Sequence, residues 1–591
     1  MNYNYYETEH FRKMSQILKA WYLVLLMYYE PLSRMILEFI RMILAFVTML
    51  NDDLWNITIE LKFNNVKLSK PIHAMLPVLL GACSTGTTNQ VSETVQPNVI
   101  LVVTDDQGYG QLNFDPSSYN ENGLKNTQVT KRYTTAVEAA YHAAQTAMPN
   151  TSKLANEGVK FTNAFVASTT CAPSRAALLT GKYTQRFGIY NNYDAEAGVR
   201  PQEKFLSETF QENGYKTAMI GKWHLGELTI DSLVEKTRDY HRDAIYGCVK
   251  DQHPLSKGFD YYYGFNYHGS NYYNATSLFR NYEHVKSQGY ITDEFTDEAL
   301  QYIEKNQKNP FFMFLSYNAP HIPLEEQAPR KYQRFNTGNT EVDNYYATLA
   351  AVDDGIGQIV SKLKELKIDK NTILLFVSDN GAVVDSPLPL NGAFKGNKGL
   401  MFQGGIHVPM FARCPGLYDE GKVITENVSA MDLLPTALAS AGIDVSESVD
   451  GIALQNVIKG EENQKRQLFW AGCQAYHWSD KNLDFWAGYE QYVKGSKEVT
   501  AFPASLYREH LSDPAGTVLE GDFMMHYYPI GDRYELFNIK QDPGEKNNIA
   551  AQNLSFVKRL KTAFDEWIIN MEKPVEWNEE TWEKLLPKAK N

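Results

Sequence analysis

The sequence predicts an α/β protein: a large, mostly parallel central sheet sandwiched by helices, followed by a smaller C-terminal subdomain with an antiparallel sheet. Three observations carry this. Short, unbroken apolar runs such as Asn98 to Val103 and Ile373 to Val377 read as strands buried on both faces, as a parallel sheet requires. Segments with helical spacing lie between such runs. From about residue 460 the pattern changes to short aromatic strands separated by polar turns. At 591 residues the chain exceeds a single core.

Composition narrows the function classes. The hydrophobic share of 43% and charged share of 21% are ordinary for a folded soluble protein. A net charge of −13 argues against a nucleic-acid partner. Five cysteines do not make a disulfide framework, although one disulfide among Cys248, Cys414 and Cys473 is allowed.

Residues 17–29 and 35–50 are apolar but short for a membrane span, which needs about 20 apolar residues. Further on, Lys67 and Lys70 form a basic region and Met75 to Leu80 a short apolar one. Leu80-Gly81-Ala82-Cys83 then resembles a bacterial lipobox, whose Cys is acylated. The bland alternative is a chance apolar run ending in Cys. A polar tether comes immediately after it, which favours the anchor. The expected organisation is therefore a lipoprotein signal peptide at 67–83, a tether at 84–96, a main domain at 97–459 and a C-terminal subdomain at 460–591. Residues 1–66 are read as a start placed too far upstream or as an extra extension, the first being preferred. Both readings imply export, to the periplasm or outer membrane of a bacterium, with a lipid anchor.

In chain order, the first strand ends in Thr104-Asp105-Asp106-Gln107-Gly108. Two adjacent carboxylates beyond a buried strand repel unless a counter-ion sits between them, and hard oxygen ligands suggest Ca²⁺, with Mg²⁺ the lesser alternative. Residues 111–150 form a long insertion, with helix expected over Thr134 to Ala147. A second short helix is expected over Thr151 to Glu157. Phe161 to Val166 is expected to be a strand feeding Ser168-Thr169-Thr170-Cys171-Ala172-Pro173-Ser174-Arg175, a loop that turns into a helix. Pro173 suits a first helical turn and Gly181 a left-handed C-terminal cap. Cys171 thus sits at a helix N-terminus that favours an anion, with Arg175 one turn on. An isolated Cys is more often a buried apolar residue, but this composite string is hard to obtain by chance.

Leu206 to Asn213 is expected as helix and Tyr215 to Ile220 as strand, ending in Gly221-Lys222-Trp223-His224. In an extended segment Lys222 and His224 would face the same way. Residues 227–257 are polar and unpatterned. Gly258 to Asn274 is strongly aromatic, equally compatible with a sugar platform and with core packing. Thr292 to Asn306 and Tyr345 to Leu366 read as helices around a strand at Phe311 to Leu315 and a proline-fixed loop carrying His321. The strand Ile373 to Val377 ends in Ser378-Asp379-Asn380, and Lys398 comes later in a glycine-rich stretch. A final helix is expected over Leu554 to Met571.

The string C-A-P-S-R-A-A-L-L-T-G resembles the signature of the type I, formylglycine-dependent sulfatases of the alkaline phosphatase superfamily. The motifs D-D-x-G, G-K-W-H-L-G, A-P-H-x-P and D-N-G resemble theirs too, over residues 97 to about 560. The resemblance implies conversion of Cys171 to formylglycine by a maturation enzyme and metal binding by Asp105, Asp106, residue 171, Asp379 and Asn380. It implies catalytic roles for residue 171, Arg175, Lys222, His224, His321 and Lys398. It further implies hydrolysis of a sulfate ester, with a sulfated oligo- or polysaccharide as the expected substrate. Gln403 and His407 depart from the family's Glu and Arg in K-x-x-x-x-E-G-G-x-R-V-P, which bears on local packing. The alternatives are a phosphatase or phosphonate monoester hydrolase on the same fold, or a glycan-binding protein with an unconverted Cys171.

Overall fold

The computed structural model describes residues 96–113, 137–192, 194–230, 245–324, 326–383, 386, 389–461, 466–472, 514–528 and 532–574. The chain divides into residues 1–91 and 92–591, and the described residues belong to the second unit. The lipobox, nearly all of the tether, Cys473 and residues 114–136 of the insertion lie outside the described residues.

Among the described residues, ten strands form the main sheet. They are β1 (Asn98–Thr104), β2 (Val159–Phe161), β3 (Lys216–Lys222), β4 (Tyr261–Phe265), β5 (Leu278–Arg280), β6 (Glu283–Val285), β7 (Phe311–Ser316), β8 (Thr372–Ser378), β9 (Met410–Arg413) and β10 (Lys422–Ile424). Their order is β10-β2-β9-β8-β1-β7-β3-β4-β5-β6. The central five, β8-β1-β7-β3-β4, are all parallel, and the flanks are largely antiparallel. The apolar runs explain the centre. Val99, Leu101 and Val103 enter one core while Ile100 and Val102 enter the other, so β1 has no solvent face. Each such side chain contributes about 1.5–3 kcal/mol on burial.

Helices cover both faces. Cys171–Thr180, Leu206–Glu212 and Leu433–Ser440 pack on one core. Val137–Ala147, Pro149–Asn156, Ile291–Asn306 and Thr340–Glu365 pack on the other. The last of these starts five residues before the expected Tyr345, because Asn339 caps it by accepting from the N–H groups of Glu341 and Val342.

Two local expectations fail. Phe161 to Val166 is not one strand: β2 ends at Phe161, and Ala164–Phe165 pairs instead with Val428–Ser429. The polar residues Thr162 and Asn163 make the break, with Thr162 N–H donating to Ile424 and Val166 N–H to Ile406. Nor is 227–257 without pattern, because Leu228–Ile230 and Tyr246–Cys248 form an antiparallel pair.

A four-stranded antiparallel sheet completes the described fold: β11 (Gln467–Ala471), β12 (Gly516–Glu520), β13 (Phe523–Tyr528) and β14 (Arg533–Asn538). The Leu554–Ile568 helix lies on it, with the Phe564 ring against Gly516. Trp470 Nε1 donates to the Val166 carbonyl at 2.7 Å, tying this sheet to the segment that leads into Cys171. Cys171, Cys248 and Cys414 are free thiols.

Candidate active site

The C-terminal ends of β1, β3, β7 and β8 lie side by side, and each delivers polar residues to one place. Asp105 and Asp106 come just after β1, Lys222 ends β3, Ser316 ends β7, and Asp379 and Asn380 come just after β8. Asp106 adopts a left-handed φ of 65°, which a short polar side chain tolerates, and so diverges from Asp105. Gly221, at φ 104°, lies so close to the Ser316 carbonyl that a Cβ would stand 1.9 Å from its oxygen. Glycine there lets β3 and β7 converge beneath the site.

Every carboxylate has a cation. Lys222 Nζ lies 2.6 Å from Asp105 Oδ2, Lys398 Nζ 2.7 Å from Asp106 Oδ1, and Arg175 Nη2 2.9 Å from Asp379 Oδ2. Arg175 also donates through Nε to Asp379 at 2.9 Å and through Nη1 to the Ser316 hydroxyl. Its guanidinium is thus engaged with the carboxylates while still in the field of Cys171. Asn380 Nδ2 donates to Asp106 at 2.7 Å, and the Asp106 N–H donates to Asp379 Oδ1 at 3.1 Å.

Cys171 is the first residue of its helix, directly after the N-cap Thr170, and it is buried. Its Sγ lies within 4.8 Å of oxygens of Asp105 and Asp379. Asp105, Asp106 and His321 form a second group of the same compactness. Among the described residues, Asp105 Oδ1 and Asn380 Oδ1 are buried with no hydrogen-bond partner. Oxygen donors, three carboxylates and two oxygens left over suit a hard divalent cation such as Ca²⁺.

The two histidines are placed differently. The extended geometry expected from Lys222 to His224 ends at Lys222, because His224 has a left-handed φ of 55°. Its ring instead lies 6.1 Å from that of His268. Burial, with Lys222, His268, Arg175 and Lys398 nearby, holds His224 well below the usual histidine value. His321 Nε2 stands 3.6 Å from Asp106 Oδ2, and Nδ1 meets the Ile322 carbonyl at 2.5 Å. Burial lowers His321 to about 3, against the pull of Asp106. Both imidazoles are therefore neutral near pH 7.

The carboxylates diverge as well. Burial raises Asp106, but Lys398, His321 and Lys222 overcome it and hold the group below the ordinary range. Burial and the adjacent Asp105 push Asp379 up to about 7, partly opposed by Arg175. A cation among these oxygens acts in the opposite direction. Asp106 and the neighbouring carboxylates keep Lys398 protonated despite its burial.

Three residues near the site carry no role that their sequence context suggests. Ser316 is visible there only as the polar end of a strand. His268 lies inside the aromatic run without a motif of its own. Asn192 gives no signal at all. The aromatic run itself divides: Tyr262, Tyr263 and Tyr272 are core, whereas His268 is exposed and Tyr267 and Tyr273 are partly so.

The sheet and the cluster at its strand ends define an α/β enzyme of the alkaline phosphatase and sulfatase type. A family model described as Sulfatase matches residues 97–443. The chain is 39% identical over 524 residues to uncharacterized sulfatase YdeN of Escherichia coli strain K12, covering 86% of this chain and 92% of that one. It is 29% identical over 407 residues to human N-acetylgalactosamine-6-sulfatase, covering 63% of this chain and 68% of that protein. Among solved structures, Ps i-CgsB in complex with k-i-k-neocarrahexaose matches with a TM-score of 0.62 at 27% identity, covering 83% and 98% of the two chains. The chain belongs to the sulfatase family, and it is an enzyme that hydrolyses sulfate esters.

Proposed function

We propose that residue 171 acts as the nucleophile after oxidation to formylglycine, beside a Ca²⁺ held by Asp105, Asp106, Asp379 and Asn380, on a sulfated oligo- or polysaccharide. The observation that carries this is the placement of Cys171 Sγ within 4.8 Å of the Asp105 and Asp379 carboxylates, at a helix N-terminus. Mg²⁺ is the less suitable ion, since it demands a tighter octahedron. A bound cation would acidify a hydroxyl on residue 171 and withdraw charge from the sulfuryl group.

The hydrated aldehyde offers two hydroxyls, one of which attacks sulfur. Lys222 and Lys398 stabilise negative charge on the sulfuryl oxygens as the ester bond breaks. Arg175 contributes mainly by holding Asp379 and Asp105 in place. Lys398, with His321, protonates or stabilises the leaving alcohol. Lys398 has the stronger claim, because it carries a proton while His321 is neutral. His224 then takes the proton of the remaining hydroxyl, expelling sulfate and restoring the aldehyde. A thiol has no second hydroxyl and cannot complete this step.

The saccharide assignment is supported by Ps i-CgsB, whose structure holds a neocarrahexaose, and by the partly exposed Tyr267 and Tyr273 with His268 beyond β4. Partly exposed tyrosines beside a histidine suit a sugar ring. Export as a lipid-anchored periplasmic or outer-membrane protein is proposed from the sequence. Among the described residues no helix is long and apolar enough to cross a membrane.

The test joins the mass of the peptide carrying residue 171 to sulfate release from sulfated saccharides and phosphate release from matched esters. An aldehyde at 171 with sulfate release is expected. Aldehyde-bearing protein that releases no sulfate from any of them would sink the reading.

A further inference from the structure

We infer that Asn192 is a positioning residue for the nucleophile, fixing the rotation of the side chain at residue 171 through its carboxamide N–H. The inference rests on the formylglycine reading above. Asn192 sits 21 residues beyond Cys171 on a separate loop, yet both ends of its carboxamide reach Cys171 Sγ, Nδ2 at 3.3 Å and Oδ1 at 3.7 Å. Its Oδ1 accepts from the Ala172 N–H at 3.1 Å. That contact settles which way the amide points, since a backbone N–H can meet only the oxygen. Nδ2 must then face Cys171 Sγ, at 3.3 Å.

The helix start shows why the contact matters. Thr170 is the N-cap, but its side chain makes no capping bond, and its Oγ1 is buried without a partner among the described residues. Asn192 supplies the missing acceptor from outside the helix and turns one N–H of Nδ2 to residue 171. Its loop is held by its own polar contacts. Asn191 Oδ1 accepts from Asp194 N–H at 3.1 Å, and Asp194 Oδ2 accepts from Tyr190 N–H at 3.0 Å. The side chain is therefore presented from a fixed frame.

The chemistry at 171 needs such a donor. Once the sulfur is replaced by oxygen, the two hydroxyls must be told apart: one has to face the sulfuryl group, the other has to wait for the base. The charged groups around Asp105 and Asp379 address one side of residue 171. Asn192 addresses it with a neutral N–H, which holds an oxygen without protonating it and without adding charge where a sulfate must bind. A misplaced nucleophile loses rate while leaving substrate affinity intact.

The two roles of Asn192 separate by substitution. N192D keeps an acceptor for the Ala172 N–H and places an anion at a helix N-terminus, so capping survives, but the donor is gone. N192A loses both. With residue 171 confirmed as aldehyde in each variant, kcat for sulfate release from the sulfated saccharide that wild type hydrolyses should fall about 10²-fold in both while KM holds. Tm should fall in N192A alone.

Unchanged kcat in either variant overturns the inference. If N192D alone loses kcat, the added charge is responsible; if N192A alone loses it, Asn192 is only a cap. Should aldehyde-bearing wild type release no sulfate, the parent reading fails and this one falls with it. An active wild type beside an active N192A sinks this one by itself.

Discussion

Lys398 Nζ lies 2.7 Å from Asp106 Oδ1, with both side chains almost completely buried. The pair joins a lysine from a glycine-rich turn to a carboxylate at the end of the first strand, 292 residues apart. Removing Lys398 leaves Asp106 with Asn380 and a neutral His321. Breaking a buried pair from one side costs about 3–5 kcal/mol, because an uncompensated charge remains. K398M is therefore expected to lower Tm in chelator and to recover part of it in Ca²⁺. With Ca²⁺ present, sulfate release should still fall about 10²–10³-fold. Thermal melts with and without Ca²⁺, beside kcat, check both halves. A K398M protein with wild-type kcat would remove Lys398 from the chemistry.

Much of this site was legible because its residues stand directly after buried strands. Runs such as N-V-I-L-V-V and T-I-L-L-F-V have no polar alternation, so they could only be central. Residues at the C-terminal end of a central parallel strand lie at the ligand-binding edge. Asp105, Asp106, Lys222 and Asp379 could be found that way. Asn192 could not, since it sits on an irregular loop and reaches Cys171 only through tertiary packing. Alternation between Lys222 and His224 assumes an extended chain, whereas the backbone turns left-handed at His224, so their spacing alone does not set their geometry. The strand break at Thr162 was missed for a related reason: the apolar residues on either side belong to different sheets.

Asn380 offers a direct measure of the cation. Its Nδ2 is committed to Asp106 and to the Gly381 carbonyl, whereas Oδ1 has no hydrogen-bond partner among the described residues. N380A removes that oxygen. Calcium affinity measured by calorimetry should drop, and the Ca²⁺-dependent rise in Tm should shrink with it, since stabilisation tracks ligand occupancy. Chelated wild type should lose sulfate release and regain it on adding Ca²⁺. Equal calcium affinity in N380A and wild type would exclude Asn380 as a ligand.

His224 predicts the acid limb of the pH profile. Burial and the surrounding cations disfavour its protonated form, and a divalent cation nearby adds to the same effect. The base form therefore persists below pH 6.5, the ordinary histidine value. The acid limb of kcat should lie below that pH. In H224A the attack on sulfur survives but the release step does not, so intact mass should show a sulfuryl group retained on residue 171. Free sulfate released at the wild-type rate by H224A would assign the second proton transfer elsewhere.

His253 carries a stability prediction far from the chemistry. It is buried, edge-on to Tyr262 at 5.1 Å and tilted against Tyr282 at 4.4 Å. Burial lowers it to about 4. The unfolded chain takes up a proton near pH 6.5 that the folded chain refuses, so its contribution is complete above 6.5 and is lost as pH falls toward about 4. H253N keeps an acceptor at the Nδ1 position for the Leu255 N–H and has nothing to titrate. Its Tm should decline less than that of wild type between pH 6.5 and 4. Parallel curves for the two proteins would contradict the assignment.

The departures at Gln403 and His407 set a carboxamide against an imidazole where the family carries Glu and Arg. His407 Nδ1 lies 3.3 Å from Gln403 Oε1, and its Nε2 lies 2.7 Å from the Thr162 carbonyl. The imidazole stacks on Phe394 at 4.2 Å and meets Tyr109 and Phe165 edge-on or tilted, a slot sized for a flat ring. Gln403 Nε2 donates to the Pro543 carbonyl at 2.9 Å, a bond that glutamate cannot make. Q403E would set a carboxylate against that carbonyl in a buried site, at a cost of about 1–3 kcal/mol or more. Adding H407R supplies a counter-charge but must force a longer side chain into the aromatic slot. Q403E should lower Tm, and the double variant should recover only part of the loss. Because Gly405 of the same turn packs against the Asn397 and Leu400 carbonyls flanking Lys398, kcat should fall along with Tm. Full recovery in Q403E/H407R would mean that the slot accepts the family's ion pair and that the aromatic packing does not select histidine.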